Sequence, residues 1–100
     1  MNNFDTIING EKPVLVDFYA DWCGPCKVLA PAIVEVKKRV GDAATIIKMD
    51  VDKNPVYANR YGVQSIPTMI IFQKGKIMWR QMGVVPTHEI LKNLQPLIPA

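Results

Sequence analysis

The sequence has only two cysteines and one histidine among its 100 residues, and both cysteines lie in DWCGPCKVLAP, residues 21–31. A structural zinc site needs four cysteine or histidine ligands, so it could be completed here only between chains. A purely structural disulfide is also disfavoured, because a Cys23–Cys26 bridge closes a very short loop and removes little entropy from the unfolded chain. We therefore expect no metal, and we interpret the pair as one that makes and breaks its bond.

Long apolar runs are missing as well, and the tightest basic cluster is Lys37, Lys38 and Arg39 at the end of a predicted helix, where cations are favoured. No stretch approaches the roughly twenty apolar residues that span a bilayer, and the first ten residues lack the basic and apolar regions of a secretory signal. The net charge is +3, but the basic residues are scattered rather than arranged in a stripe with aromatics. We expect no membrane span, no nucleic-acid partner and a cytoplasmic location, although a processed exported protein would have the same start.

What is present is the composition of one globular domain over residues 1–100. Apolar residues make up 49% of the chain and charged residues 21%, as in folded domains rather than disordered chains. No repeat, low-complexity tract or linker divides the sequence. It is long enough to form a hydrophobic core without covalent staples.

Runs of β-favouring residues alternate with helical patterns and predict the order helix, strand, helix, strand, helix, strand, strand, helix. The predicted strands are 12–20, 45–51, 68–72 and 76–82, and the longer helices are 25–40, 55 to about 61, and 87 to about 95. We expect the side chains of Asn54 and Thr87 to cap helices and Gly75 to take a positive φ in a hairpin turn. The fold class is therefore α/β with a mixed sheet of four strands, including a parallel βαβ unit.

The two cysteines follow the first strand and open the first long helix. Unpaired N–H groups and the positive end of the helix dipole favour a thiolate at Cys23. Gly24 allows close approach, and Pro25 has no N–H group to leave unpaired. Cys26 lies one turn further along and is shielded by the preceding chain. We predict that Cys23 is the exposed nucleophile and that Cys26 resolves the mixed disulfide.

The segment VDFYADWCGPCKVLAP resembles the active-site segment of the thioredoxin family. The similarity continues in IIKMDVDKNP, YGVQSIPTMIIF, KG and MG, and covers about residues 4–94. The resemblance implies a thioredoxin-like fold and a protein-disulfide reductase acting on disulfide-containing proteins. It also implies that no cofactor is bound and that a reductase such as thioredoxin reductase regenerates the dithiol.

The resemblance also implies a substrate-binding rim. The proline matching Pro67 is cis in this family and faces the cysteines, while the backbone before it pairs with an extended substrate. Such β-type recognition takes its affinity from main-chain hydrogen bonds. The residues that match the apolar rim are Trp22, Gly24, Pro25, Ile66, Pro67, Gly83 and Val84.

Asp17 interrupts the apolar run VLVDFY, and two interpretations are open. If it is buried, its pKa rises and it suits general acid–base chemistry near neutral pH. The family resemblance gives it that role, as a proton relay with Cys26 that is accompanied by Lys48. The alternative is an aspartate at an exposed strand edge, and we favour burial because carboxylates are rarely buried without a function.

The start of the chain departs from the family pattern. Thioredoxins usually have a strand before the first helix, whereas residues 4–9 here already match that helix. We therefore predict four strands rather than five, with the usual N-terminal strand missing. Residues 45–51 would then form a sheet edge open to another chain, a possible dimer contact in a protein that we otherwise expect to be monomeric.

Two other functions stay open on the sequence. The first is an exported disulfide oxidant or isomerase, which differs from a reductase in its reduction potential. In the family, Gly24-Pro25 goes with reducing members, which favours a reductase. The second is a non-redox binding module on the same fold, against which the combination of Cys23, Cys26, Asp17 and Pro67 argues.

Overall fold

The computed structural model of the protein describes residues 3–100. Its helices and strands follow the predicted order, with ends within about two residues of those predicted. They are α1 (Asn3–Ile8), β1 (Val14–Tyr19), α2 (Gly24–Val40), β2 (Thr45–Asp50), α3 (Pro55–Arg60), β3 (Thr68–Gln73), β4 (Lys76–Met82) and α4 (Thr87–Leu94). In this part of the chain, no helix combines the length and apolar character needed to cross a membrane.

The four strands form one mixed sheet in the order β2-β1-β3-β4. β1 pairs in parallel with β2 and antiparallel with β3, and β3 forms an antiparallel hairpin with β4. These findings confirm the predicted sheet of four strands and its parallel βαβ unit. Among residues 3–100, β2 is an edge strand, and the dimer contact at this edge stays a prediction.

Helices cover both faces of the sheet and form two apolar cores. One core joins Leu15 and Ile71 to residues of α2 and α4, and the other joins Phe18 and Phe72 to Phe4 of α1. Successive side chains of a strand point to opposite faces, so Asp17 shares the face of Leu15, on which α2 packs. Because β1 is central and covered on both sides, its sequence is almost continuously apolar.

The turns and helix caps agree only in part with the predictions. Gly75 has the predicted positive φ of 77°, and Lys74 beside it has a φ of 54°. The side chain of Asn54 makes no cap, since its amide donates to the carbonyl of Asp50 at 3.0 Å instead. Thr87 is the first helical residue of α4, so Pro86 occupies the cap position and no side chain caps the helix. Asn54 is the N-cap residue of α3, as predicted, whereas the predicted cap position of Thr87 is wrong, and neither side chain makes a capping hydrogen bond.

Candidate active site

A disulfide joins Cys23 and Cys26 at the amino terminus of α2, with their Cα atoms 5.3 Å apart. Cys23 is the N-cap residue of the helix, with an extended backbone. Its Sγ accepts a hydrogen bond from the backbone N–H of Cys26 at 3.2 Å. An N–H group of the first helical turn therefore points at the sulfur of Cys23, where it would stabilise negative charge after reduction.

Both cysteines are buried in this disulfide-bonded state. Cys23 is 2% exposed and Cys26 is 5% exposed, so the prediction of an exposed Cys23 is wrong for this state. The reason is that the Sγ of Cys23 lies 3.8 Å from the carbonyl oxygen of Ile66, and Ile66 packs against the cysteine cluster. Gly24 and Pro25, which lie between the two cysteines in the sequence, are exposed.

The loop before β3 faces the disulfide through Ile66, and two hydrogen bonds hold this loop. The Ile66–Pro67 peptide bond is cis, as the family resemblance implies. Gly83 donates its N–H to the carbonyl of Pro67 at 2.9 Å, and Thr68 donates its hydroxyl to the carbonyl of Ser65 at 2.7 Å. The loop therefore presents the backbone beside Cys23 in a fixed position.

Three loops bring the predicted rim residues to the neighbourhood of the disulfide. Trp22, Gly24, Pro25 and Val84 are exposed, whereas Ile66 and Gly83 are half-buried. Pro67 is buried, and its carbonyl accepts the N–H of Gly83. The binding role of these residues stays a prediction.

Trp22 is held by a partner that the sequence reasoning missed. Its indole N–H donates to a carboxylate oxygen of Asp52 at 2.8 Å. Asp52 lies in the turn after β2, where the buried carboxylate of Asp50 accepts its backbone N–H at 2.9 Å. No periodicity or motif in DVDKNP distinguishes Asp52, because its function depends on a contact 30 residues away in the sequence.

Asp52→Ala is expected to raise the KM for a protein disulfide about threefold, with kcat unchanged, because it releases one exposed hydrogen bond that orients Trp22. Steady-state kinetics and the fluorescence of Trp22 report the change. Asp52→Asn is the control, since its amide oxygen can still accept from the indole. A KM of the alanine variant equal to that of the wild type would show that the contact does not orient Trp22 for binding.

Asp17 is 1% exposed, and its Oδ1 has no hydrogen-bond partner among residues 3–100. Burial raises its pKa from 3.8 to about 6, while the positive charge of Lys48 opposes that rise. The two residues are register partners in β1 and β2. The alternative of an aspartate at an exposed strand edge is wrong, because β1 lies between two other strands.

A cleft of about 140 Å³ lies beside Cys26 on the side of β2. Lys48 is exposed there, with its ammonium 4.5 Å from the centre of the Tyr19 ring. Cys26, the residue predicted to resolve the mixed disulfide, forms part of the wall of this cleft. Its lining consists of Tyr19, Ala20, Asp21, Cys26, Lys27, Ala30 and Lys48.

Comparisons with known proteins agree with this geometry. The model of a family described as thioredoxin matches residues 1–96. The crystal structure of a thioredoxin from Malassezia sympodialis is similar with a TM-score of 0.84 and 30% identity, over 94% of this chain and 83% of that chain. A thioredoxin from Alicyclobacillus acidocaldarius is 40% identical over 96% of this chain and 91% of its own length.

Other relatives are longer than this chain. Thioredoxin Y2, chloroplastic, from Arabidopsis thaliana is 40% identical over 94% of this chain, which spans only 57% of that relative. A bifunctional thioredoxin reductase/thioredoxin from Mycobacterium leprae is 43% identical over 96% of this chain, which spans 21% of that relative. Sequences similar to this chain thus occur both in relatives of about its own length and within longer proteins.

Proposed function

The chain belongs to the thioredoxin family, and we propose that it is a thiol–disulfide oxidoreductase that reduces disulfides in other proteins. The observation that carries this proposal is the disulfide at the start of α2, whose Cys23 sulfur accepts the N–H of Cys26 at 3.2 Å. A thiolate at this position has a donor already in place and does not need to rearrange the helix.

Two exchange steps make up the proposed reaction. The thiolate of reduced Cys23 attacks one sulfur of the target disulfide, forms a mixed disulfide and expels the other target sulfur as a thiolate. The thiolate of Cys26 then attacks the Sγ of Cys23, expels the second target sulfur and forms the Cys23–Cys26 disulfide. Two electrons pass from the dithiol to the target, which takes up two protons.

Asp17 is proposed to accept the proton of Cys26 during the second step. Its carboxylate is buried on the α2 face of the sheet, and one of its oxygens has no hydrogen-bond partner in the described part of the chain. A pKa of about 6 lets it bind and release a proton near neutral pH. Lys48, at the mouth of the cleft beside Cys26, is proposed to favour the ionised form of Asp17 after the proton leaves.

The rim is proposed to bind an extended segment of the target beside the disulfide. The half-buried Ile66 supplies backbone groups next to Cys23, and Trp22, Pro25 and Val84 are the exposed apolar residues of the predicted rim. Main-chain pairing to Ile66 would give affinity with little demand on the target sequence. The proposed substrates are therefore disulfide-containing proteins as a class.

We propose that a separate reductase such as thioredoxin reductase regenerates the dithiol, in line with the printed name of the Mycobacterium leprae relative. The electrons reside on the two sulfurs, so the proposed cycle needs no bound cofactor. We propose that the protein is a monomer. The proposed compartment is the cytoplasm, because a dithiol stays reduced in a reducing compartment. A plastid is the alternative compartment that the name of the Arabidopsis relative suggests.

The proposal is tested by catalysed reduction of insulin disulfides with a dithiol reductant, and with NADPH plus thioredoxin reductase. We expect turnover in both assays and a reduction potential below about −200 mV, on the reducing side of exported oxidants. A much less negative potential would favour the oxidant or isomerase alternative. The absence of turnover with either electron donor would favour a non-redox binding module.

A further inference from the structure

Met82, the last residue of β4, places a thioether at the edge of the active-site rim. Its side chain is 63% exposed, and the hydroxyl of Ser65 donates to its sulfur at 3.4 Å. It is the register partner of Thr68, which directly follows the Ile66–Pro67 loop. The next residue, Gly83, donates to the carbonyl of Pro67 at 2.9 Å. Met82 is thus fixed beside the loop that faces the disulfide.

The environment of Met82 differs from that of the other methionines in residues 3–100. Met49 and Met69 are buried, and Met78 is 46% exposed at the β-bulge, four residues earlier in the same strand. Thioether sulfur is oxidised in proportion to its access to the oxidant. Met82 is therefore the described methionine most accessible to a dissolved oxidant, and it is the one beside the rim.

We propose that Met82 is an oxidation site through which hydrogen peroxide weakens target binding, an inference that rests on the proposed reductase function. The sulfur lone pair attacks one peroxide oxygen, the O–O bond breaks, and proton transfer releases water. The thioether becomes a sulfoxide and loses two electrons, which reduce the peroxide. The cysteines take no part in this step.

The sulfoxide changes the chemistry of the rim where a target chain would lie. A flexible apolar side chain becomes polar, and its new oxygen is a stronger acceptor than the thioether sulfur for the Ser65 hydroxyl. An apolar target segment then loses a contact next to Ile66. Target binding weakens, while the donor from Cys26 to Cys23 stays in place, so the effect falls on KM rather than on kcat.

The test treats the disulfide form with hydrogen peroxide, since both cysteines are then bonded and no thiol competes for the oxidant. After the peroxide is removed, peptide mapping by mass spectrometry follows each methionine, and insulin reduction gives the kinetic constants. We expect Met82 to be oxidised before Met78 and the KM to rise about fivefold with little change in kcat. Methionine sulfoxide reductase should restore the original KM.

Two variants distinguish the effect of oxidation at Met82 from that of oxidation at other residues. Each variant is compared with its own untreated sample. Met78→Leu is expected to show the full rise in KM after peroxide, whereas Met82→Leu shows none. Oxidation of Met82 no faster than that of Met78 would overturn the inference, as would an unchanged KM after complete oxidation of Met82. An untreated protein without turnover would instead contradict the proposed function itself, and the inference with it.

Discussion

Cys23→Ser is expected to reduce protein-disulfide turnover to the uncatalysed background, and Cys26→Ser is expected to stop after one exchange. A serine hydroxyl at position 23 cannot form a mixed disulfide, so the N–H of Cys26 would point at a group that cannot carry out the exchange. With Cys23 intact and serine at position 26, the first attack still occurs, but no thiolate resolves the product.

The two variants are matched controls for each other, because each keeps one sulfur at the helix terminus. Incubation with a disulfide-bonded target, followed by mass spectrometry under non-reducing conditions, should show one target chain bound through Cys23 in the Cys26→Ser variant. The same experiment on a cell extract would identify natural targets. Equal turnover of wild type and Cys23→Ser, or trapping through Cys26 instead, would contradict the assigned roles.

Asp17→Asn is expected to become more stable relative to the wild type as the pH rises. Between pH 3 and pH 7.5, the difference in the free energy of unfolding of the oxidised proteins should change by about 3 kcal/mol in favour of the variant. The pKa of Asp17 is 3.8 ordinarily and about 6 in the folded protein, and each pKa unit corresponds to about 1.36 kcal/mol. Because the folded pKa is the higher one, the wild type is most stable below pH 3.8 and loses stability as the pH rises through 6. The asparagine variant has no such titration.

Urea unfolding of both proteins at a series of pH values measures this difference, and Asp42→Asn, which changes an exposed carboxylate after α2, is the control. If the difference in the free energy of unfolding between Asp17→Asn and wild type stays constant over this pH range, burial does not raise the pKa of the Asp17 carboxyl group.

In the same variant, resolution of the mixed disulfide at pH 7.5 should slow by about 10²-fold if Asp17 is the proton acceptor. Added stability combined with slower resolution would distinguish a relay from a structural role.

The features that the sequence predicted well are those set by local pattern. The alternation of apolar runs predicted all four strands, and the position of Cys23 at a helix start needed only the order of strand and helix. The burial of Asp17 also followed from local sequence, because β1 is apolar on both faces and therefore central. Each of these inferences depended on neighbours within a few residues.

Two of the errors and omissions depend on contacts between distant segments, and a third depends on a competing local contact. The exposure of Cys23 was misjudged because the carbonyl that covers it belongs to Ile66, 43 residues later. Asn54 was expected to cap α3, but the end of β2 offers its amide a carbonyl instead. Asp52 was missed because its partner lies on the loop after β1. The contacts of Ile66 with Cys23 and of Asp52 with Trp22 join segments 43 and 30 residues apart, so no local pattern could reveal them.

The distance along the chain between Cys23 and Ile66 also has a consequence for biosynthesis. A ribosome that adds about 5 to 20 residues per second takes about 2 to 9 seconds to cover those 43 residues. Once Cys26 has been added, the nascent chain carries both cysteines but lacks β3, which pairs with β1 and brings the Ile66 carbonyl over Cys23. Each newly made molecule therefore carries its cysteines for a period before β3 exists and before the Ile66 carbonyl can lie over Cys23.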